Sequence, residues 1–264
     1  MNIHIPIPKS IPKIIHQIWL QGQDELPKHH IPWQNSIIKY NPNYKYKLWD
    51  DSMIRNLIRT YDELYKIYCN SKHIVQKADI ARYVILEKFG GFYIDMDCEC
   101  FRSLDPLLDN CQNGLFIADD GQIPFSTMNG MIGSSPNHPI YTYIFDLIKK
   151  RTNSIFAYFP YKSFVIMWVA GPTMFKNTID QWYNETGLKP TYYNNDIIHI
   201  YNPCSSGSCT DYKSSYKNCY LMHHSQYTER DLEKIYTKPQ FYIPSIIISL
   251  IILIMLIIYF FQKK

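Results

Sequence analysis

The sequence lacks the patterns that mark several common protein classes. Its 27 basic residues form no long run and the net charge is only +4 over 264 residues, so nucleic acid is not an expected partner. The seven cysteines include no C-x-x-C pair, which disfavours a structural zinc site and a full disulfide framework. The proline-interrupted start, MNIHIPIPKSIPK, has no continuous apolar stretch and does not resemble a signal peptide.

A long uncharged stretch lies instead near the other end, at residues 241–261. A helix of this length covers roughly the 30 Å hydrocarbon layer of a bilayer, and it has no polar face to turn toward water. We therefore expect a single-pass, C-terminal transmembrane helix followed by a basic tail, residues 262–264. The expected location is an endomembrane or a host-derived membrane, with a cytosolic catalytic domain as the simpler topology. Flanking lysines on both sides leave the orientation open.

Most of the seven cysteines are expected to be reduced thiols. Cys204, Cys209 and Cys219 are the exception, because they share a Ser/Gly-rich loop. One disulfide would form there only if that loop is extracytoplasmic.

Residues 1–235 are predicted to form one catalytic domain, since 46% hydrophobic residues suffice for one sizeable core. Strands and helices alternate along this part, which predicts an α/β fold with a parallel-type sheet. The predicted strands are 11–20, 44–49, 92–94, 114–118 and 128–133. The predicted helices are 51–61, 71–89, 140–149 and 173–182, and 164–170 is predicted to be a buried run.

The helix over 71–89 and the strand after it carry the main chemical signal. Apolar residues recur at intervals of three and four, as one buried helix face requires, at Ile74, Ala78, Ala81, Ile85 and Phe89. Gly90-Gly91 ends the helix. The following short strand delivers Asp95 and Asp97 at its carboxyl end, where ligands bind in open α/β sheets.

Asp95 and Asp97 are separated by one residue, so on a strand both carboxylates would point to the same side. Two hard oxygen ligands there suit Mn²⁺ or Mg²⁺ held together with a diphosphate. A solvated acidic turn is the competing interpretation of this short pattern. Asp79 and Arg82, at i and i+3 on the preceding helix, are either part of the same site or an ordinary surface ion pair.

Five segments in fixed order resemble the DXD-containing family 32 glycosyltransferases, which include yeast-type mannosyltransferases for N-glycans and for inositol phosphorylceramide. The segments are IPKIIHQIW, KADIARYVILEKFGGFYIDMDCEC, MNGMIGSSPNHP, AGPTM and LMHH, and the resemblance covers most of residues 11–228. It implies a GT-A type, Rossmann-like nucleotide-sugar-binding fold. It also implies retaining, metal-dependent transfer of a hexose, mannose in many relatives, from a nucleoside diphosphate sugar to a glycan or glycolipid.

The resemblance also implies roles for individual residues. Asp97 would ligate the metal, and Asp95 would contact the ribose or sugar and reach the metal. Asp79 and Arg82, the two residues assigned to catalysis, would hold the donor hydroxyls and the diphosphate. The other implied donor-site residues, each with a structural alternative as a core or turn residue, are Trp19 against the base, Tyr93 and Asn129.

His223 matches the late histidine of the family, which would supply a third metal ligand or contact the diphosphate. His224 follows it where the family has a serine, and Tyr227 stands nearby as a substitute for the family's tryptophan. His16 is expected to be structural.

Two alternatives come from other classes. A haloacid-dehalogenase phosphatase also places D-x-D after a strand, but it requires Thr or Val where this chain has Glu99. A catalytically inactive GT-A module that binds carbohydrate or another partner is suggested by the altered residues after His224. No catalytic base is predicted.

Overall fold

Short buried strands form the centre of the protein. The computed structural model describes residues 10–109, 111, 113–118, 127–193, 198–200 and 219–224. No helix within these residues is both long enough and apolar enough to cross a membrane. The predicted membrane helix 241–261, the basic tail, Tyr227, Cys204 and Cys209 lie outside them, so these expectations remain predictions.

The central sheet of the described residues is mixed, not parallel as the sequence suggested. Its strands are β1 Ile14–Ile18, β2 Lys45–Trp49, β3 Gly91–Ile94, β5 Leu115–Ala118, β6 Met131–Ser134 and β7 Thr191–Tyr193. They lie in the order β2-β1-β3-β6-β5-β7. β1 is parallel to β2 and β3, and β5 is parallel to β7, but β6 is antiparallel to both β3 and β5. The prediction of parallel pairing was wrong at β6. Alternating strands and helices predict parallel pairing only where a single crossover connection joins two strands that are neighbours in the sheet.

A second, smaller sheet continues from the end of β3. It contains β4 Cys98–Cys100, β8 Ile198–Ile200 and β9 Leu221–His223, in the order β4-β9-β8. β4 and β9 are antiparallel, and their register places Cys98 opposite His223. This pairing brings two segments that are far apart in sequence to the turn that contains Asp95 and Asp97.

The helices predicted at 51–61, 71–89, 140–149 and 173–182 are present with shifted ends, whereas the helices at 31–40, 62–70 and 105–109 were not predicted. The helices of the described residues cover the central sheet. They are α1 Ile31–Tyr40, α2 Asp51–Ile58, α3 Asp62–Asn70, α4 Ile74–Phe89, α5 Asp105–Asp109, α6 Ile140–Thr152, α7 Lys162–Val169 and α8 Pro172–Thr186. Two 3₁₀ helices are Gln23–Glu25 and Ile155–Tyr158. The predicted buried run 164–170 is largely helix α7, which buries Val165 and Val169 but leaves Phe164 exposed. Apolar content alone did not separate the two faces of this helix.

Helix α4 is the most deeply buried helix near the site. Asp79 through Leu86 are buried on every side, because α4 packs between the sheet and the helices α2, α6 and α7. Ala81 and Ile85 lie in the core as predicted, whereas Ile74 and Phe89 at the two ends are exposed. Polar groups on this helix therefore need partners inside the protein.

The turn from α4 to β3 is in close contact with β1. Gly90 and Gly91 have φ values of +61° and +89°, which side chains rarely adopt. A Cβ at Gly91 would overlap the carbonyl oxygen of Ile14 and lie 3.1 Å from its Cβ. The two glycines thus allow α4 and β3 to approach the first strand.

His16 stabilises this turn, as its predicted structural role requires. Its Nδ1 accepts a hydrogen bond from Trp49 Nε1 at 3.1 Å, so its Nε2 carries the proton and donates to the Gly90 carbonyl at 3.0 Å. Burial lowers the pKa of His16 to about 4, because the charged form would lose its hydration. The imidazole is therefore neutral at physiological pH.

We predict that Gly91→Ala destabilises the fold more than Gly22→Ala does. Gly22 has a similar φ of +90°, but a Cβ added there would have no other atom within 4 Å, so its substitution measures backbone strain alone. The added overlap with Ile14 should cost about 2 kcal/mol beyond that strain. Equilibrium urea unfolding of both variants measures the difference. Equal losses would contradict the close approach of the turn to β1.

Candidate functional site

Asp95 and Asp97 lie in a turn that connects the two sheets. β3 ends at Ile94, so the two residues follow the strand directly, as predicted, but the strand geometry that was expected to point both carboxylates to one side does not apply to them. The Asp95 amide donates to the Gly130 carbonyl at 2.8 Å, and the Cys98 amide donates to the Asp95 carbonyl at 3.2 Å. The turn is thus held from both sides, and both carboxylates still face the same neighbour, His223.

His223 lies between the two carboxylates. Its Nε2 is 3.3 Å from Asp97 Oδ1 and 3.6 Å from Asp95 Oδ2. Burial alone would lower the pKa of His223, but Asp97 and then Asp95 outweigh it and raise the pKa to about 8. The two carboxylates therefore favour a positive charge at the point between them.

Arg82 is buried beneath this turn. Its Nη2 is 3.0 Å from Asp79 Oδ1 and its Nη1 is 3.4 Å from Asp95 Oδ1, and the side chains of Arg82 and Asp79 are only 5% and 3% exposed. The interpretation of Asp79 and Arg82 as a surface ion pair is therefore wrong. Spacing on the helix could not reveal this, because burial of the pair depends on the elements packed around α4.

Asn129 joins the buried pair from the loop before β6. Its Nδ2 donates to Asp79 Oδ1 and to the Tyr83 hydroxyl, each at 3.0 Å, and its carbonyl accepts from Arg82 Nη1 at 2.5 Å. Sequence reasoning missed Tyr83, whose hydroxyl donates to the Ala170 carbonyl at 3.0 Å. The only signal for it was its place one residue after Arg82.

Two polar atoms in this network have no hydrogen-bond partner in the described part of the chain. They are Asp79 Oδ2 and Arg82 Nε, and both are buried. Burial raises the pKa of Asp79 to about 6 despite the opposing charge of Arg82. Asp79 is still ionised at neutral pH, and the network retains unused hydrogen-bonding capacity next to Asp95.

Tyr93 supports the Asp95 carboxylate from within β3. Its hydroxyl donates to Asp95 Oδ1 at 2.6 Å, and its ring lies 4.5 Å from the Arg82 guanidinium carbon. Burial would raise the pKa of Asp95, but Arg82, His223 and Tyr93 together hold it below its ordinary value. Tyr93 is thus both a core residue and a contact of the acidic turn.

Gln17 on β1 was also missed. It is fully buried, its Nε2 donates to the Asp95 carbonyl at 3.1 Å, and its Oε1 accepts from the Tyr46 hydroxyl at 2.8 Å. The signal that could have found it was its place inside an otherwise largely apolar strand, IIHQI, that is buried at four of its five positions. Gln17 connects the first strand to the backbone of the acidic turn.

Trp19 lies just beyond β1, at the same sheet edge, but it does not join the Asp95 cluster directly. It is half-buried, so it is not the core tryptophan of the alternative interpretation, and its Nε1 donates to the Glu25 carbonyl at 3.1 Å. Its ring is 5.3 Å from His30, which is 5.1 Å from Trp33. Trp33 in turn stacks on His224 at 4.1 Å. The side-chain rings of four residues therefore lie in a row from the end of β1 to the residue after His223, namely Trp19, His30, Trp33 and His224.

The donor atoms around the acidic turn fit a divalent cation. Carboxylate oxygens and an imidazole nitrogen converge from Asp95, Asp97 and His223, a donor set that suits Mn²⁺ or Mg²⁺. The absence of a side chain at Gly130 leaves space beside the Asp95 carboxylate, because a Cβ at this position would lie 2.6 Å from Asp95 Oδ2. Among the described residues, the ligand atoms that all lie within 4.8 Å of one another are those of Asp97, Cys98 and His223, whereas Asp95 is close to His223 but is not part of this group. Burial raises the pKa of the Cys98 thiol, which favours the oxygen ligands for a hard ion.

Known proteins resemble this chain in sequence and in fold. Residues 27–113 match the family described as glycosyltransferase sugar-binding region containing DXD motif. An uncharacterised glycosyltransferase of Acanthamoeba polyphaga mimivirus is 34% identical over 81% of this chain and 81% of that protein. Inositol phosphoceramide mannosyltransferase 3 of Schizosaccharomyces pombe is 33% identical over 66% of this chain and 46% of that protein.

A Saccharomyces cerevisiae mannosyl phosphorylinositol ceramide synthase is 33% identical over 71% of this chain and 49% of that protein. The chain thus spans about half the length of the yeast relatives that it matches.

Solved structures resemble the fold at low sequence identity. The PaToxG glycosyltransferase superimposes with a TM-score of 0.52 at 18% identity, over 68% of this chain and 72% of that chain. The UDP-bound glycosyltransferase domain of the YGT toxin gives 0.52 at 9% identity, over 71% and 80%. The predicted GT-A-like α/β fold is confirmed, with a mixed central sheet. The chain belongs to the glycosyltransferases whose sugar-binding region contains the DXD motif, and it is itself a glycosyltransferase.

Proposed function

We propose that this glycosyltransferase is metal-dependent and retaining, and that it moves a hexose from a nucleoside diphosphate sugar to a glycan or glycolipid acceptor. The observation that carries the proposal is the convergence of Asp95 and Asp97 on His223, with the buried Arg82 directly behind Asp95. The carboxylates and imidazole supply ligands for a cation on a diphosphate, and Arg82 supplies a fixed positive charge next to it.

In this proposal, the metal ligands are Asp97 and His223, with Asp95 shared between metal and donor. A bound Mn²⁺ or Mg²⁺ would neutralise the charge that develops on the departing nucleoside diphosphate. Gln17 and Tyr93 hold Asp95 in place through its backbone and its carboxylate.

Asp79 and Arg82 would bind the donor sugar and diphosphate. The unpartnered Asp79 Oδ2 would accept from a sugar hydroxyl, and Arg82 would stabilise the negative charge that develops on the diphosphate as it leaves the sugar. Asn129 fixes both side chains, because it donates to Asp79 and accepts from Arg82. Trp19, with the row of rings beyond it, would take the base of the nucleotide by stacking.

No protein nucleophile is required for this transfer. The Cys98 thiol borders the carboxylates, but burial raises its pKa and keeps it protonated. In a front-face attack the acceptor hydroxyl approaches from the side of the leaving diphosphate, whose oxygen takes the proton. Positioning and charge stabilisation then account for catalysis.

Mannose is the proposed hexose because the two yeast relatives are named for mannosyl transfer to inositol phosphoceramide. A membrane-attached enzyme would meet a lipid acceptor directly, and we propose attachment through residues 241–261. An inactive module is less well supported, because Asp79, Arg82, Asp95 and Asp97 are all present and in mutual proximity.

We predict that Asp97→Asn lowers kcat/KM for donor hydrolysis by at least about 10²-fold, because several kcal/mol of charge stabilisation depend on the ion. The measurement uses a panel of UDP- and GDP-hexoses with Mn²⁺ and the full-length chain. Mn²⁺ affinity, measured by calorimetry in the presence of the nucleoside diphosphate, should fall in parallel. Asp180→Asn removes an exposed carboxylate on α8 and should change neither value. Unchanged Mn²⁺ affinity in Asp97→Asn would exclude the proposed metal site.

We also predict that Asp79→Asn lowers kcat/KM by roughly 10²-fold, because Arg82 and the sugar lose a fixed carboxylate. Asp51→Asn is the control, since Asp51 also pairs with an arginine, Arg55 at 2.5 Å, but lies on α2 with its side chain 35% exposed. Thermal unfolding of both variants separates lost activity from lost stability. Similar kinetics in the two variants would show that Asp79 has only a structural role.

A further inference from the structure

A cluster of exposed aromatic and aliphatic residues covers the 3₁₀ helix Ile155–Tyr158 and the first turn of α7. Ile155 and Tyr158 are 80% and 83% exposed, and Phe156 and Phe164 are exposed as well. The rings also pack on one another, with Phe159, which contacts the core, 5.2 Å from Phe164. We call residues 155–164 the aromatic face.

The start of α4 extends this apolar surface. Ile74 and Val75 are exposed, and α4 packs against α7. Lys72 and Lys162 are both exposed and both lie near His73, whose pKa is lowered by burial and then by the charges of these two lysines. Two segments distant in sequence therefore present apolar side chains and lysines together.

Acidic residues are absent from both segments. The sequence contains none between Glu63 and Asp79 and none between Asp146 and Asp180. Those two stretches include Lys72 and Lys162. The combination of exposed aromatic rings with lysines and without carboxylates is typical of surfaces that enter the headgroup region of an anionic bilayer.

We propose that the aromatic face and the start of α4 dock on an anionic membrane surface. Tyr158 and Ile155 enter the interface between headgroups and acyl chains, and Lys72 and Lys162 contact the anionic headgroups. The uncharged segment 241–261 of the same chain could cover apolar side chains but offers no negative charge to the lysines. A second copy packed face to face would set lysines against lysines, which is unfavourable.

The docked orientation would also place the donor site near the membrane. Asp79 follows Val75 by one helical turn on α4, and the chain after α7 reaches the site where Ala170 accepts from Tyr83. A lipid acceptor would then reach the site without leaving the bilayer. This consequence rests on the proposed function, whereas the docking does not.

The test uses the full-length chain reconstituted in vesicles of phosphatidylcholine, with or without phosphatidylserine, whose acyl chains carry bromine. Binding is not the measured quantity, because residues 241–261 could attach the chain by themselves. The measured quantity is the bromine quenching of the tryptophan fluorescence that Tyr158→Trp adds to the parent protein. Tyr183→Trp is the matched control, since Tyr183 is also exposed but lies at the end of α8 beside Lys189.

We expect strong quenching of the fluorescence added by Tyr158→Trp in vesicles that contain phosphatidylserine, and little for Tyr183→Trp. Lys72→Gln with Lys162→Gln should reduce the equilibrium constant for docking by about fivefold for each lysine. Lys13→Gln with Lys189→Gln removes the same charge elsewhere and should leave the quenching unchanged.

Three outcomes would overturn the proposal. One is equal quenching of the two tryptophan reporters. Another is a blue-shifted emission of Tyr158→Trp without vesicles at every protein concentration, which would indicate that another segment of the chain covers the face. The third is a shift that grows with protein concentration, which would indicate a second copy. Donor hydrolysis, measured separately without vesicles, shows whether the proposed transfer function fails independently.

Discussion

The buried charge network of Asp79, Arg82 and Asp95 is the constraint on which the rest of the site depends. A guanidinium removed from water must have compensating partners, because an unpaired buried charge costs several kcal/mol. Arg82 meets this requirement with two carboxylates, one carbonyl and the face of Tyr93. These partners come from three segments, so the network requires α4, β3 with the turn after it, and the loop before β6 to assemble in one arrangement.

That arrangement depends on close backbone approaches around β1. The glycine turn after α4 lets β3 lie against the first strand, and the neutral His16 connects the turn to β1 and β2. Gln17 then reaches from the same strand to the carbonyl of Asp95. The position of the acidic turn is therefore set by the packing of Gly91 against β1 and by the hydrogen bond from Gln17 to the carbonyl of Asp95. The partnerless Asp79 Oδ2 and Arg82 Nε lie in this otherwise satisfied network, as expected for a site that binds a polar ligand.

The sequence predicted which residues form the site better than it predicted their geometry. Asp95 and Asp97 follow β3 as predicted, but they lie in a turn, and their carboxylates converge on His223 instead of sharing one side of a strand. The predicted parallel sheet is mixed because β6 enters it antiparallel. Phe164 was expected to be buried and is exposed, since an apolar sequence does not state which side of a helix meets the core.

The sequence by itself determined the features that depend on neighbouring residues. The helical spacing of α4, the Gly90-Gly91 stop and the short distance between Asp95 and Asp97 all follow from local preferences of the chain. Only the tertiary structure decided that Asp79 and Arg82 are buried, and that β9 pairs with β4 so that His223 faces the acidic turn. These outcomes depend on contacts between segments far apart in the chain, and residue spacing within one segment carries no information about them.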